Sequence, residues 1–140
     1  MENEHERPVT FFRFEDLRIY HKALEYMDWV YLMAKNTSND PFMKSFFDRF
    51  IVSSNGIALY IAEGSSRNKS QFIYYLKMAK SSVRECVVLS TVALNRSFIT
   101  SHAYEDSKNH LMEMTKMIGA LIGSLQRSVK PDETDDEESI

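Results

Sequence analysis

Apolar residues recur along most of the chain at alternating steps of three and four, the spacing that places side chains on one face of an α-helix. Leu17, Tyr20, Leu24, Met27, Tyr31 and Ala34 form one such stripe, and Ile19, Ala23, Tyr26, Val30 and Met33 form a second beside it. The first helix is expected from near Asp16 to about Lys35, with Glu15 and Asp16 favourable at the positive end of its dipole. Two adjoining stripes make a wider apolar face than one side of a small bundle requires. Either the core is thick and some apolars are scattered on the surface, or part of this face meets a second subunit.

Residues 36–41 carry loop chemistry, with Asp40 able to accept from early helix amides and Pro41 suited to the first helical position. A second helix follows, whose core positions are Phe42 or Met43, Phe46, Phe50, Ser54, Ile57 and Ile61, with Phe47, Ile51 and Ala58 alongside. Gly56 lowers helix propensity by roughly 1 kcal/mol relative to Ala, which marks it as a close-packing point. The helix is expected to end at about Glu63, with Gly64 as a left-handed cap. Asn68 or Ser70 caps a third helix that buries Phe72, Leu76, Ala79, Val83, Cys86, Val87, Val92 and Ala93. Ser81 and Ser82 are small enough for close helix approach. After a break around residues 97–101, a fourth helix buries Tyr104, Leu111, Met114, Ile118, Leu121, Ile122 and Leu125 and frays before Pro131.

These four amphipathic helices with short connections predict an all-α, antiparallel up-and-down four-helix bundle over residues 14–129. A helix of 25 residues is about 37 Å long, which suits an elongated rod. Residues 1–13 form an N-terminal arm whose Phe11, Phe12 and Phe14 are expected to lie against the body or a neighbouring subunit. Residues 130–140 form an acidic, disordered tail. Composition agrees: 140 residues suit one domain, and four Gly and three Pro leave too few turns for an all-β fold. The lone Cys86, in a valine-rich run, allows no internal disulfide and reads as core filling. The polar, acidic start lacks the apolar core of a signal peptide, and no run of about 18 apolar residues offers a membrane span. A cytoplasmic protein without membrane attachment is expected.

Charge is unevenly placed. Residues 132–138 hold 6 of the 20 acids and no base, so the rest of the chain, with 17 bases and 14 acids, carries +3 against an overall −3. Lys77, Lys80 and Arg84 fall three and four apart on one face of the third helix, and Arg67 and Lys69 stand at its start. Arg18 and Lys22 make a similar pair on the first helix. Such stripes neutralise nucleic-acid phosphates, although an ordinary solvated face has the same spacing. Tyr74 and Tyr75 lie nearby, able to stack on bases or to pack internally. Glu63, expected to be buried, requires a partner such as Arg67 or Arg84, and Glu85 beside Ser82 has a similar bracing part.

Enzyme chemistry finds little footing. Carboxylate-bridged metal sites in bundles need Glu-x-x-His pairs on facing helices, and the one such pair here, Glu2 with His5, precedes the helices. His21, His102 and His110 lack partners at ligand spacing, and no P-loop or nucleophile turn is present. Neither a metal nor a cofactor is expected, and a small metal-dependent or other bundle enzyme is kept as the alternative.

The segments Phe14-Glu15-Asp16-Leu17-Arg18-Ile19-Tyr20-His21-Lys22-Ala23 and Ile61-Ala62-Glu63-Gly64-Ser65-Ser66-Arg67, followed by Phe72, Leu76, Ala79, Ser82 and Glu85, are familiar in combination. Over roughly residues 14–125 the chain resembles the four-helix-bundle family encoded by intervening sequences in bacterial 23S rRNA genes. The resemblance makes Glu63, Gly64, Arg67, Ser82 and Glu85 a structural signature. It implies a homopentameric ring and a non-enzymatic protein without a settled biochemical role. A related group, the accessory proteins of diversity-generating retroelements, forms basic pentamers that bind nucleic acid and reverse transcriptase. An oligomeric interaction protein is therefore expected, with RNA or a protein as partner.

Overall fold

The computed structural model describes residues 11–128, and four α-helices account for most of them. They are α1 (Arg18–Lys35), α2 (Pro41–Ser65), α3 (Lys69–Asn95) and α4 (Ser101–Ser128). No strand occurs among the described residues, and the fold is an all-α four-helix bundle. Most of the expected arm, residues 1–10, and the acidic tail lie outside the described residues.

Local chemistry sets the helix starts. The Asp40 carboxylate accepts from the Phe42 amide at 3.0 Å, with Pro41 opening α2, and Asn68 accepts from the Gln71 amide at 2.9 Å to open α3. The Thr100 hydroxyl accepts from the Ala103 amide at 3.0 Å at the head of α4. Each satisfies a donor that the first helical turn leaves without a partner. Glu15 and Asp16 belong to a short 3-10 turn, Arg13–Asp16, and extended Leu17 delays α1 to Arg18.

The helix ends depart further from expectation. Gly64 is no left-handed cap: it lies inside α2, which runs on to Ser65, and no glycine has positive φ among the described residues. Its missing side chain serves contact, since a Cβ there would stand 2.6 Å from the Tyr75 Cβ and 3.0 Å from a Phe72 ring carbon. The left-handed residue is Ser97, with φ 59°, just past α3. There the Phe98 amide donates to the Ala93 carbonyl at 2.8 Å and the Ser97 amide to Leu94 at 3.0 Å, closing the helix as a Schellman motif. The same turn brings the Phe98 ring to 5.4 Å from Phe46.

The helices pack in the cyclic order α1, α2, α3, α4 and back to α1. Ala23, Tyr26, Val30, Phe50, Ile57, Ile61, Leu76, Ala79, Cys86, Leu111, Met114 and Ile118 fill the centre. In α1 the second apolar series, not the first, is the core line: Ile19, Ala23, Tyr26 and Val30 are buried, whereas Leu17, Tyr20, Leu24 and Met27 are half-buried and Tyr31 is exposed. The reason is placement, because α1 touches both α2 and α4 and the line facing the seam between them is the one covered. At the head of α2, Phe42 is 81% exposed and the half-buried Met43 takes the inward position.

A chain of hydroxyls crosses this core. Tyr26 Oη lies 2.8 Å from Ser107 Oγ, which lies 2.6 Å from Ser90 Oγ, joining α1, α4 and α3. Paired in this way, three buried polar groups escape the penalty of lost hydration. Burial pushes the Tyr26 hydroxyl pKa well up, and burial together with the Glu85 charge pushes the Cys86 thiol to about 12. Among the described residues, no helix is long and apolar enough to cross a membrane.

Candidate functional site

The cations singled out in the sequence separate into two groups. Arg67, in the joint between α2 and α3, is committed locally: its guanidinium donates to Glu63 one helical turn back and lies 5.3 Å from the Tyr75 ring centre. The hydrogen bond to Glu63, then the fields of Tyr75 and Glu63, raise its pKa further above the ordinary arginine value. Glu63 itself is exposed rather than buried, because it falls on the outer side of the last turns of α2. The pair thus braces the joint from outside, where solvent screens an ion pair and leaves it a small share of the stability. Glu85 has a similar external role, reaching Arg49 of α2 at 3.9 Å. Ser82 is buried, and its hydroxyl occupies the space that a side chain on Gly56 would need, 2.8 Å from the built Cβ.

Lys77, Lys80 and Arg84 form the other group. Lys77 and Arg84 are exposed, Lys80 is half-buried, and none has an acidic partner within ion-pair distance among the described residues. Lys69, exposed on the first turn of α3, is likewise unpaired among them. Spacings of three and four carry the stripe from Lys80 through Arg84 to Val87. Val87 shares a surface groove with Lys108, Leu111, Met112, Thr115 and Lys116 of α4. The fold therefore continues the α3 stripe into a second basic strip. Lys108 Nζ sits 5.7 Å from the Tyr104 ring centre, an orientation in which the ring face favours the charge.

Lys108 and Lys116 were not among the sequence candidates. Their signal was present as two lysines eight residues apart with Met112 midway, but only the register of α4 against α3 brings them to the groove. Arg18 and Lys22 move the other way. Both reach Glu113 of α4, at 3.8 and 3.4 Å, and Lys22 also reaches Glu25 at 3.4 Å. The hydrogen bond to Glu25, followed by the charge of Glu113, raises the Lys22 pKa. This patch is largely neutralised. Of the two candidate tyrosines, Tyr74 is 39% exposed, one turn before Lys77, whereas Tyr75 is half-buried between Arg67 and Tyr60.

A different surface lies on α2. Leu59 is 66% exposed and borders two grooves, one against α1 with Phe14, Tyr20, Leu24 and Met27, the other against α3 with Val52, Gly56 and Ser82. Val52 is 63% exposed, and the neighbouring Ser53 Oγ is buried without a hydrogen-bond partner among the described residues. Phe11, 91% exposed, leads a run of ring contacts through Phe12 and Phe14 to Tyr20 at the edge of the first groove. This surface is apolar where the α3–α4 surface is cationic.

His110 packs edge-on to Tyr26 at 6.0 Å and His102 points to Asp106 at 3.8 Å, so the two histidines of α4 are engaged separately. Among the described residues no three His, Cys, Asp or Glu side chains gather as metal ligands would. A search of curated proteins finds no match. Residues 15–120 match the family model described as 23S rRNA-intervening sequence protein. With that match spanning most of the chain and four helices packed as one bundle, the chain belongs to the 23S rRNA-intervening sequence protein family.

Proposed function

We propose that this chain is a non-enzymatic interaction protein that assembles with copies of itself and binds RNA through the α3–α4 face, repeated around the assembly. The observation that carries the RNA reading is the row Lys77, Lys80 and Arg84, unneutralised by described acids and continued by Lys108 and Lys116 across the groove at Val87. Cations in a row spaced along a helix suit a chain of phosphates, and repetition in an oligomer multiplies a modest charge per subunit. Tyr74 offers a ring for stacking beside Lys77.

The subunit is an antiparallel up-and-down bundle in this reading. Ser90 meets Ser107 while the earlier Val87 lies by the later Leu111 and Thr115; Gly56 meets Ser82 while the later Gly64 meets the earlier Phe72 and Tyr75. Such opposed numbering belongs to helices running in opposite directions. Self-association uses the apolar α2 surface around Leu59 and Val52, and the family resemblance favours a homopentameric ring. A cytoplasmic location suits the single free thiol, Cys86, buried in the core.

Titrating a fluorescein-labelled 20-nucleotide single-stranded RNA by anisotropy tests the RNA reading. Affinity is expected to fall steeply between 50 and 200 mM salt, by about 0.7 log unit per log unit of salt for each phosphate neutralised. Absence of binding at 50 mM salt, or binding that is unchanged when Lys77, Lys80 and Arg84 become alanine, would overturn it.

A further inference from the structure

A cleft of about 610 Å³ opens where α1 ends and α4 begins, within the size range of small-molecule sites. Helical spacing builds two of its walls. Trp29, Met33 and Asn36 follow one another at steps of four and three on α1, and His102 and Asp106 stand one turn apart on α4. The left-handed turn at Ser97 brings in a third wall, Phe98. Neighbouring rings hold both aromatic side chains in place: Tyr26 stacks on Trp29 at 5.6 Å with planes 16° apart, and Phe46 meets Phe98 at 5.4 Å. A fixed aromatic surface lowers the ordering cost of binding a flat ring.

The polar groups narrow the class of ligand. Asp106 offers two acceptor oxygens, and its contact with the exposed His102 is long, at 3.8 Å. No lysine or arginine among the described residues lines the cleft, so it suits a neutral ring with adjacent N–H donors and not a phosphate. Among the RNA bases guanine alone carries two neighbouring donors, N1–H and the 2-amino group, on its Watson–Crick edge, the pair that a carboxylate accepts side by side. We infer that this cleft takes a single guanine base, stacked on Trp29 with its donor edge on Asp106. Lys108 follows Asp106 by two residues, on the side of α4 towards α3. A helix is about 10–12 Å across with its side chains, so a strand held by the basic strip crosses α4 to the cleft within a few nucleotides. The lysines hold phosphates of any sequence, and the cleft adds a preference at one position. Delivery of the base by a strand rests on the RNA reading above; the fit of guanine to the cleft does not.

Trp29 is the only tryptophan of the chain, so its emission reports on the cleft directly. Two 20-nucleotide RNAs, one all uridine and one with a single central guanosine, are titrated into the full-length chain at 50 mM salt. Fluorescein-labelled copies give affinity by anisotropy, and unlabelled copies give the tryptophan signal. The guanosine-containing RNA is expected to bind about tenfold more tightly and to quench Trp29 at saturation, whereas the all-uridine RNA leaves its emission unchanged. Asp106→Asn, which exchanges one acceptor for a donor at a half-buried position, should bring the two affinities within about twofold of each other. Equal affinities in the natural chain, unchanged Trp29 emission at saturation, or a preference that survives Asp106→Asn would overturn the inference. If neither RNA binds, the RNA reading falls and free guanosine decides the cleft. Quenching of Trp29 by millimolar guanosine, with about fivefold weaker binding of inosine, which lacks the 2-amino group, would uphold the fit. No quenching, or equal binding of inosine, would overturn it.

Discussion

Helix α3 makes two seams, one with α2 and one with α4, from opposite kinds of residue. Against α2 it meets Gly56 and Gly64, and the side chains in the gap are Ser82, Phe72 and Tyr75, close enough that a single added carbon would collide. The lips of that seam carry Val52 and Leu59 and an exposed ion pair, Arg49 with Glu85. Against α4, the lips carry lysine and arginine around Val87 and Met112. Small residues draw two backbones together and leave a flat apolar surface; long cationic chains extend over a seam and hold charge in water. In the proposed reading, the α2 side of this helix borders the self-associating surface and its α4 side attracts anions.

The largest effect is expected from charging the apolar side. Val52→Glu together with Leu59→Glu alters exposed positions, so the helices should form as before by circular dichroism. The oligomer should nevertheless dissociate, with a several-fold loss of mass, because an unpaired carboxylate in an apolar interface is strongly disfavoured. Next is the triple change Lys77→Ala, Lys80→Ala, Arg84→Ala. It should weaken RNA binding at low salt by about tenfold or more and flatten the logarithmic salt slope by roughly 2, while leaving the oligomer's mass unchanged. A loss of mass in that variant would merge the two sides into one.

Three glycines probe the seams by stability. Gly64→Ala drives a carbon against the Tyr75 Cβ, which cannot move without backbone, and should cost a net ~1 kcal/mol in urea unfolding after the helix-propensity gain. Gly56→Ala meets only the Ser82 hydroxyl, which can rotate, and should lie within ~0.5 kcal/mol of zero. Gly119→Ala meets nothing within 4 Å and should stabilise by ~0.5–1 kcal/mol. Equal effects at Gly64 and Gly119 would remove the close approach from the α2–α3 seam.

Cys86 gives a pH-dependent effect. Its folded pKa, about 12, lies above the ordinary 9.0, so below pH 9 the thiol is protonated in both states and contributes no slope. Above pH 9 the unfolded chain releases the proton while the folded chain keeps it, and stability falls until the folded thiol also ionises. The urea midpoint should therefore drop less steeply between pH 9 and 11 in Cys86→Ala than in the natural protein. A small change is also expected at Ser97→Gly, which relieves the left-handed backbone and should stabilise by about 0.5 kcal/mol.

Much of this architecture is legible in the residues because helical period and capping act locally. Asp40 with Pro41, and Asn68, mark the starts of α2 and α3, and Ile57, Ile61, Leu76, Val83, Leu111 and Ile118 are buried as their spacing predicts. What depended on neighbours was harder to read. Both stripes of α1 are apolar, and nothing within one helix tells which will face the seam between two others. Gly64 stands where a helix-ending glycine is expected, but the crowding that requires it comes from Tyr75 on the next helix. The half of the candidate site on α3 showed in the spacing of Lys77, Lys80 and Arg84. Its other half, Lys108 and Lys116, and the silencing of Arg18 and Lys22 by Glu113, required the register between helices.

The claim that α3 separates two jobs depends first on the protein being an assembly of its own copies. Light scattering on the natural chain at about 20 µM, in-line with size exclusion at 150 mM salt, tests this most directly. A particle several times 16.3 kDa, and five times that mass for the ring, is the expected result. A particle of 16.3 kDa would leave the apolar α2 surface without a second copy to meet and would contradict the division of labour between the two seams.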